Sequence, residues 1–379
     1  MRIAMIHLRH APSGGTERYM NLLSSHLVEA GHQPVIVCRS HAAPHHAGVE
    51  FVKLRPFSIG GAARMWNFAV AVEKHVQSAN YDLVYNLGKT WTNDVIRLGG
   101  GCHASYMELA HEATRTPFER LIRKGVRKHR LALEIESRAL APGAYKQVIT
   151  NSEMTKRDVM KRHNVPDEMV RVIHNGADTE HFHPRLRDGA GRALRESLGW
   201  NMDNEVLLFL GTGYGRKGLD RVLEAAAKLA PSRPAMRLLV AGYDSSRPAW
   251  EARAKQLGLA QCTIFLGGRS DPEICYAAAD VYALPTRYDP FANSTVEALA
   301  SGLPTITTPT NGGCELIEEG KNGSTLSHLP NSEDFAQAIA YWFDNRAEGS
   351  ALARATAVKN EAKGKLEETR TLLEELAKS

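Results

Sequence analysis

The sequence predicts an α/β protein of two Rossmann-like domains, and three observations carry that expectation. Short apolar runs alternate with helical stretches along most of the chain, the rhythm of parallel sheets covered by helices. The rhythm stops in a polar, Gly- and Pro-containing segment, "HNGADTEHFHPRLRDGAGR", and restarts after it. The 379 residues exceed what one ordinary core holds. The boundary is expected near residue 185, with an N-terminal domain over 1–184 and a C-terminal domain over 185–355. A helical tail over 356–379 is expected to pack back on the first domain.

In the first half, "RIAMIHL" is apolar in the manner of a strand buried on both faces. "APSGGTER" punctuates it, and "YMNLLSSHLVEAG" follows with helical spacing and ends on Gly31, a helix stop. "QPVIVCRS" is the next strand, and "YDLVYNLG" and "QVITNS" continue the series. In the second half the strands are "EVLLFLG", "RLLVAGYD", "TIFLGG", "VYALP" and "LPTITTP". The helices between them are "LDRVLEAAAKLA", "ARAKQLG", "PEICYAAAD" and "STVEALASG". Two such domains in tandem are expected to face each other across a cleft lined by the loops at the carboxyl ends of the strands, where open α/β sheets bind ligands.

The chain is 43% hydrophobic and 23% charged, which excludes disordered and fibrous classes. A formal charge of +5 is too mild to imply nucleic acid and is compatible with an anionic substrate. Cys38, Cys102, Cys262, Cys275 and Cys314 are scattered and never form CxxC, which points to a reducing compartment and no structural zinc. "MRIAMIHLRHAPSGG" is broken by His7 and Arg9 and does not read as a signal peptide. No apolar run is long enough to span a bilayer. The expectation is a cytoplasmic protein, or one peripheral on the inner face of a membrane.

The glycine loop "GTGYGRKG" follows a strand and opens a helix, with Gly213, Gly215 and Gly218 in the G-x-G-x-x-G pattern. Read alone it fits a nicotinamide dinucleotide as well as a sugar nucleotide. Arg216 and Lys217 suit a diphosphate, because cations and a helix N-terminus together neutralise it. Asp244 lies later than the about 20 positions at which a dinucleotide site places its ribose-binding carboxylate. Gly14 and Gly15 occupy a similar loop after the first strand, where a ligand could approach the backbone. Further on, "RYDPFANSTVEALASG" carries Asp289 in a loop and Glu297 within the next helix, with Asn293 or Ser294 expected as its N-cap.

Taken in order, these motifs resemble the retaining GT-B glycosyltransferases of family four over most of the chain. "GGTER", "IHNGADTEHFHP", "GTGYGRKGLDRVLEA", "DPFANSTVEALASGLPTITT" and "NGGCELIEEGKNG" carry the resemblance. Within the family, "YGRKGLDR" and "GRSD" look like stretches of the enzymes that add glucose to the lipopolysaccharide core. The resemblance implies a GT-B fold and transfer of a hexose from a nucleoside diphosphate sugar, of UDP type, to a hydroxyl of a glycan or glycolipid. It implies that Arg216 and Lys217 bind the donor diphosphate and that Glu297 holds the ribose. Asp289 would meet the transferred sugar, and the backbone of Ala292, Asn293, Ser294 and Thr295 the diphosphate or sugar. Gly14, Gly15 and Thr16 would close over the phosphates, Arg269 would approach the base, and His103 would lie near the reacting sugar. At the first acidic position the family usually has Glu, and here stands Asp289, one methylene shorter, which leaves the donor sugar open. The acceptor would enter on the leaving-group face, with a donor phosphate oxygen as base and no protein nucleophile. No cofactor is implied, and no DxD-type pair is present to hold a metal.

"RTPFERLIRKGVRKHR", residues 115–130, reads as a basic amphipathic helix with Phe118, Leu121, Ile122 and Val126 on one face. It suits either an anionic lipid surface or ordinary packing on its own domain. Two alternatives stay open: another enzyme on a similar fold, such as a nucleotide-sugar epimerase or a nicotinamide dehydrogenase, and a non-catalytic nucleotide-sugar binder.

Overall fold

The computed structural model of the chain describes residues 1–11, 14–42, 47–110 and 126–378. It divides into two compact units, Met1–His174 with Lys363–Ser379, and Asn175–Ala362. Most of the basic stretch 115–130 lies outside the described residues.

The first unit carries strands β1 (Arg2–Ile6), β2 (Gln33–Cys38), β3 (Glu50–Lys53), β4 (Leu83–Asn86), β5 (Val95–Arg97), β6 (Gln147–Thr150) and β7 (Val170–Val172). They form one 7-stranded sheet in the order β3-β2-β1-β4-β5-β6-β7, every pair parallel. Its helices are α1 (Gly15–Glu29), α2 (Gly60–Ser78), α3 (His103–Leu109), α4 (Arg127–Ala139) and α5 (Glu153–His163). In α1, Met20, Leu23 and Leu27 recur at helical spacing and pack on Ile3 and Met5 of β1. The C-terminal helix, Ala362–Lys378, presents Leu366 and Leu373 to the same core. It is fastened by Tyr19 Oη donating to Thr369 Oγ1 at 3.3 Å, and by His26–Glu367 at 2.9 Å and His32–Glu374 at 2.8 Å.

The second unit follows the same plan. Its strands are β8 (Glu205–Leu210), β9 (Met236–Ala241), β10 (Thr263–Gly267), β11 (Val281–Leu284), β12 (Thr305–Thr307) and β13 (Gly323–Thr325). Its helices are α6 (Arg192–Ser197), α7 (Tyr214–Lys217), α8 (Leu219–Leu229), α9 (Arg247–Gln256), α10 (Pro272–Ala277), α11 (Asn293–Ala300), α12 (Ser332–Asp344) and α13 (Arg346–Lys359). The 6-stranded sheet runs β10-β9-β8-β11-β12-β13, all parallel. Val206 to Phe209 are fully buried, which is why β8 reads as an unbroken apolar run. Strand order reverses between β8 and β11, so the loops after these two strands part and leave a crevice at their carboxyl ends.

The compact units divide at His174/Asn175, ahead of the boundary expected near residue 185. The polar segment that composition marks as a linker is anchored in the second unit: Phe182 is in its core, and Arg354 donates to the carbonyls of Thr179 and Phe182 at 2.8 and 3.0 Å. The tail is also not one element from residue 356. Helix α13 ends at Lys359 within the second unit, and the last helix begins at Ala362. Among the described residues, no helix is long and apolar enough to cross a membrane.

Candidate active site

The loop after β8 is shaped by glycines at two contacts. Gly218 has φ +85°, and a Cβ there would come within 2.1 Å of the Pro285 carbonyl oxygen in the loop after β11. A Cβ on Gly211 would meet the Lys217 side-chain stem at 3.1 Å. These close approaches let the two loops lie against each other. Further bonds hold them there. The Arg216 carbonyl accepts from Arg287 N–H at 2.8 Å and from Thr286 Oγ1 at 3.1 Å. Arg287, nearly buried, donates to the Gly215 carbonyl and pairs with Asp220 at 2.6 Å.

This arrangement brings Arg216, Lys217 and Asp289 together. Lys217 Nζ donates to Asp289 Oδ2 at 2.5 Å, and Arg216 Nη1 donates to the same oxygen at 3.2 Å. Arg216 also donates to the Tyr288 carbonyl at 3.0 Å. The Asp289 backbone is held on both sides, its N–H by the Thr310 carbonyl at 2.8 Å and its carbonyl by Gly312 N–H at 2.9 Å. Burial alone would push the Asp289 carboxyl up; the Lys217 and Arg216 cations more than offset it and hold it below the usual carboxylate value. Burial pulls the Lys217 ammonium below its ordinary value, with Asp289 opposing. Two cations thus share one carboxylate oxygen, and the Glu297 charge also acts on Lys217.

Asp244 has a different task from the ribose carboxylate of a dinucleotide site. It accepts from Tyr214 N–H at 2.6 Å and from Ser246 N–H and Oγ at 2.8 and 2.5 Å. It therefore caps the start of α7. Tyr214 is fully buried and donates to the Gly242 carbonyl at 2.7 Å, which ties the loop after β8 to the loop after β9.

The start of α11 corrects another expectation. The N-cap is Ala292, not Asn293 or Ser294, and it has no side-chain cap of its own. The carboxamide of Asn311 braces this turn from the next loop, accepting from Ala292 N–H at 3.1 Å and donating to Thr295 Oγ1 at 2.8 Å. The Asn293 side chain is engaged elsewhere, accepting from Asn175 Nδ2 at 2.7 Å. The Ala292 and Thr295 N–H groups are thus used internally, Thr295 bonding the Ala292 carbonyl at 2.9 Å. Those of Asn293 and Ser294 make no hydrogen bond among the described residues. One turn on, Glu297 is buried and accepts from Tyr276 Oη at 3.0 Å. Burial, and then the Glu297 charge, keep the Tyr276 phenol well above its ordinary value, so it remains a donor. Arg269, in the loop after β10, makes a two-pronged pair with Asp271 at 2.8 and 2.6 Å.

In the first unit, Gly14 caps α1 at φ +117°, and a Cβ there would strike the Glu17 carboxylate at 2.2 Å. Gly15 and Thr16 are the first residues of α1. Glu17, almost buried in that first turn, takes Arg9 at 2.9 Å. The amino end of α1 thus already carries a carboxylate of the protein.

His103 begins α3. Its N–H donates to both Glu136 oxygens at 3.1 and 3.0 Å. Its ring lies 3.1 Å from Lys89 Nζ through Nδ1 and 2.9 Å from His129 Nδ1 through Nε2. Burial, then Lys89 and His129, depress its pKa to about 3. A neutral ring satisfies both contacts, with Nδ1 accepting from the ammonium and Nε2–H donating to His129. Beside it, Cys102, Glu136 and His163 bring ligand-type atoms within 4.8 Å of one another, a grouping that sequence spacing does not show. The Glu136 carboxylate is already committed to His103 N–H and to His163 Nε2 at 3.3 Å.

Residues 192–363 match the family described as glycosyl transferases group 1, and residues 13–181 match glycosyltransferase family 4. An uncharacterized glycosyltransferase of Methanocaldococcus jannaschii is 26% identical over 343 residues, 85% of this chain and 84% of that protein. The lipopolysaccharide glucosyltransferase WaaG of Escherichia coli is 23% identical over 340 residues, 89% of this chain and 88% of that one. Among solved structures, WaaG superposes with a TM-score of 0.83 at 22% identity, over 98% of this chain and 99% of that one. HepE of Anabaena, in complex with UDP and glucose, superposes with a TM-score of 0.74 at 20% identity, over 99% of this chain and 100% of that one. At such identities the structural likeness is one of fold.

Proposed function

The chain belongs to the GT-B glycosyltransferases, built from a family 4 and a group 1 domain, and we propose that it transfers a hexose from a UDP-sugar to a hydroxyl of a glycan or glycolipid with retention of anomeric configuration. The observation that carries this reading is the convergence of Lys217 and Arg216 on Asp289 at the reversal of strand order. A diphosphate leaving there meets two cations and the N–H groups of Asn293 and Ser294 at the head of α11. All are fixed before the reaction, so the charge that develops on the leaving group is stabilised without reorganisation. Asp289 Oδ1, which accepts no bond among the described residues, is the atom for a hydroxyl of the transferred sugar. Glu297, oriented by Tyr276, takes the ribose hydroxyls. Asp289 and Glu297 are not an acid–nucleophile pair, since that chemistry needs carboxyls on either side of the scissile bond.

The engagement of Asp244 with Tyr214 and Ser246 weighs against a nicotinamide site. The likeness to WaaG supports a lipopolysaccharide-core acceptor. The test is a panel of nucleotide sugars read by thermal shift and by release of nucleoside diphosphate, with the anomer of the product determined by NMR. Binding of UDP-sugars with UDP release and a retained anomer is the expected result. Binding without release from any donor, with or without glycan acceptors, would make the protein a non-catalytic binder. Binding of a nicotinamide dinucleotide in place of UDP would overturn the reading.

A further inference from the structure

At the opposite end of the second sheet from the donor loops, beside the amino end of β11, lies a cavity of about 200 Å³. Asp280, the residue before β11, forms part of its wall and is almost wholly buried. Three guanidiniums meet that one carboxylate: Arg187 at 2.5 Å, Arg195 at 2.8 Å and Arg346 at 3.9 Å. The Val206 N–H donates to it as well, at 2.7 Å. One negative charge therefore answers three positive ones.

The three arginines are not equivalent. Arg195 is fully buried and its remaining donors go to the carbonyls of Ala278, Asn201 and Asn204 at 2.8, 3.2 and 2.9 Å. Burial lowers its pKa; Asp280 pulls it up, and the nearby Arg187 and Arg346 add to the lowering, a sign of excess positive potential. Arg187 and Arg346 line the cavity, with 34% and 49% of their side chains open. Apart from Asp280, their bonds go to the Ala279 and Phe343 carbonyls, fewer than a guanidinium can make.

Two further features point inward. Arg346, Ala347 and Ser350, in the first turns of the 14-residue helix α13, line the cavity, and Asn345 supplies no side-chain cap. The helix thus adds the positive end of its dipole. Independently, Ser301 lines the cavity at 7% exposure, and its Oγ has no hydrogen-bond partner among the described residues. Buried hydroxyls are seldom left in that state.

We propose that this cavity binds a phosphate-class oxyanion, free or as the phosphate of a small monoester, between Arg187, Arg346, Ser301 and the amino end of α13. The excess of positive charge matches a dianion better than a single carboxylate, and guanidiniums suit its bidentate recognition. Asp280 precedes β11 and Asp289 follows it, so this site lies apart from the donor loops; Tyr276 also borders the cavity, with its hydroxyl on Glu297, and the proposal does not depend on the glycosyl-transfer reading.

The experiment is thermal unfolding of the full chain against inorganic phosphate, with chloride at matched ionic strength. Lys217→Ala marks the donor loops; Arg346→Gln and Ser301→Ala mark the cavity. Arg346 is the mildest arginine to change, being half-open and the farthest from Asp280. Phosphate should raise the unfolding midpoint saturably in the wild type, and a saturable rise should persist in Lys217→Ala, where the donor loops no longer contribute their lysine. Arg346→Gln should weaken the apparent affinity about tenfold, as loss of a charge-assisted hydrogen bond does, and Ser301→Ala by less. Glycerol 3-phosphate binding more tightly than phosphate would support the site and identify a monoester as its ligand. No saturable shift beyond chloride, loss of the shift in Lys217→Ala, or an unchanged affinity in both cavity variants would overturn the proposal.

Discussion

Lys217 Nζ lies 2.5 Å from Asp289 Oδ2, although the two residues are 72 apart in the chain. Because Arg216 shares that oxygen, removing the lysine leaves Asp289 with a cation and leaves the loops tied through Arg287. Lys217→Ala should therefore fold, while losing about a hundred-fold or more in kcat/KM, the scale of a lost oxyanion donor. Steady-state UDP release with the preferred donor is the measurement. Turnover close to wild type would remove Lys217 from the leaving-group role.

The same pair sets the pH dependence. Asp289 has a folded-state pKa below 3.8. Its pairing contributes stability that is whole above that ordinary value and lost as pH falls through the folded one. It therefore produces no acid limb in the neutral range. Lys217 has a folded pKa below 10.5. Between that value and 10.5 the unfolded chain holds a proton the folded chain has released, so this group adds stability as pH rises. On the proposed role of Lys217 activity moves the other way, because the uncharged amine would no longer neutralise a diphosphate. The profile of kcat/KM, which reports the free enzyme, should show an alkaline limb below 10.5 that Lys217→Arg displaces upward. An undisplaced limb would assign it to another group.

Tyr276→Phe removes a hydroxyl that donates to Glu297 at 3.0 Å. The fold should survive at a cost of about 1.5–3 kcal/mol, typical for a bond to a charged acceptor. KM for the donor should rise several-fold while kcat changes little, because a ribose contact is made in both ground and transition states. Replacing the donor's ribose by 2-deoxyribose should then matter less in the variant than in the wild type. An equal penalty in both proteins would show that Tyr276 does not act through Glu297.

The residues that carry charge to the site were readable as sequence, and those that hold the site together were not. Arg216 and Lys217 stand out because they fall in a glycine loop between a strand and a helix. Strands such as β8, buried on both faces, announce themselves as apolar runs. Asn311, Arg287, Asp244 and Tyr276 carry no such mark. Each satisfies a backbone group or a carboxylate that is distant in sequence, and neither period nor local spacing encodes such pairs. Asn293 and Ser294 are reasonable caps by type, yet neither caps α11; Asn311, 19 residues beyond Ala292, holds the Ala292 N–H instead. The segment beginning at Asn175 looked like a linker because its polar majority hides two anchors, Phe182 and the carbonyls bound by Arg354.

His103 should not titrate near neutrality. Its pKa of about 3 against an ordinary 6.5 means that the unfolded chain takes up a proton first as pH falls. The contribution of this group to stability is therefore whole above 6.5 and declines between 6.5 and 3. In the folded protein its ring resonances should stay flat from pH 8 to about 5, while an ordinary exposed histidine titrates near 6.5. Two-dimensional NMR of labelled histidines, assigned with His103→Gln, would check this. A midpoint near 6.5 for His103 would break the inferred tautomer and its acceptance of a bond from Lys89.

Gly213 and Gly218 share a left-handed backbone, at φ 78° and 85°, but not the same surroundings. A Cβ on Gly213 would meet nothing within 4 Å, so Gly213→Ala carries only the conformational penalty of about 1 kcal/mol. A Cβ on Gly218 would press to 2.1 Å on the Pro285 carbonyl oxygen, which is backbone and cannot swing aside. Gly218→Ala must add to the same penalty a separation of the two loops that carry Lys217 and Asp289. It should lower the unfolding midpoint by several times the shift seen for Gly213→Ala and should raise the donor KM, while Gly213→Ala leaves the distance between the loops unchanged. Thermal unfolding with donor kinetics on the two single variants makes the comparison. Equal shifts would mean that the close approach at Pro285 is not what holds the glycine loop in place.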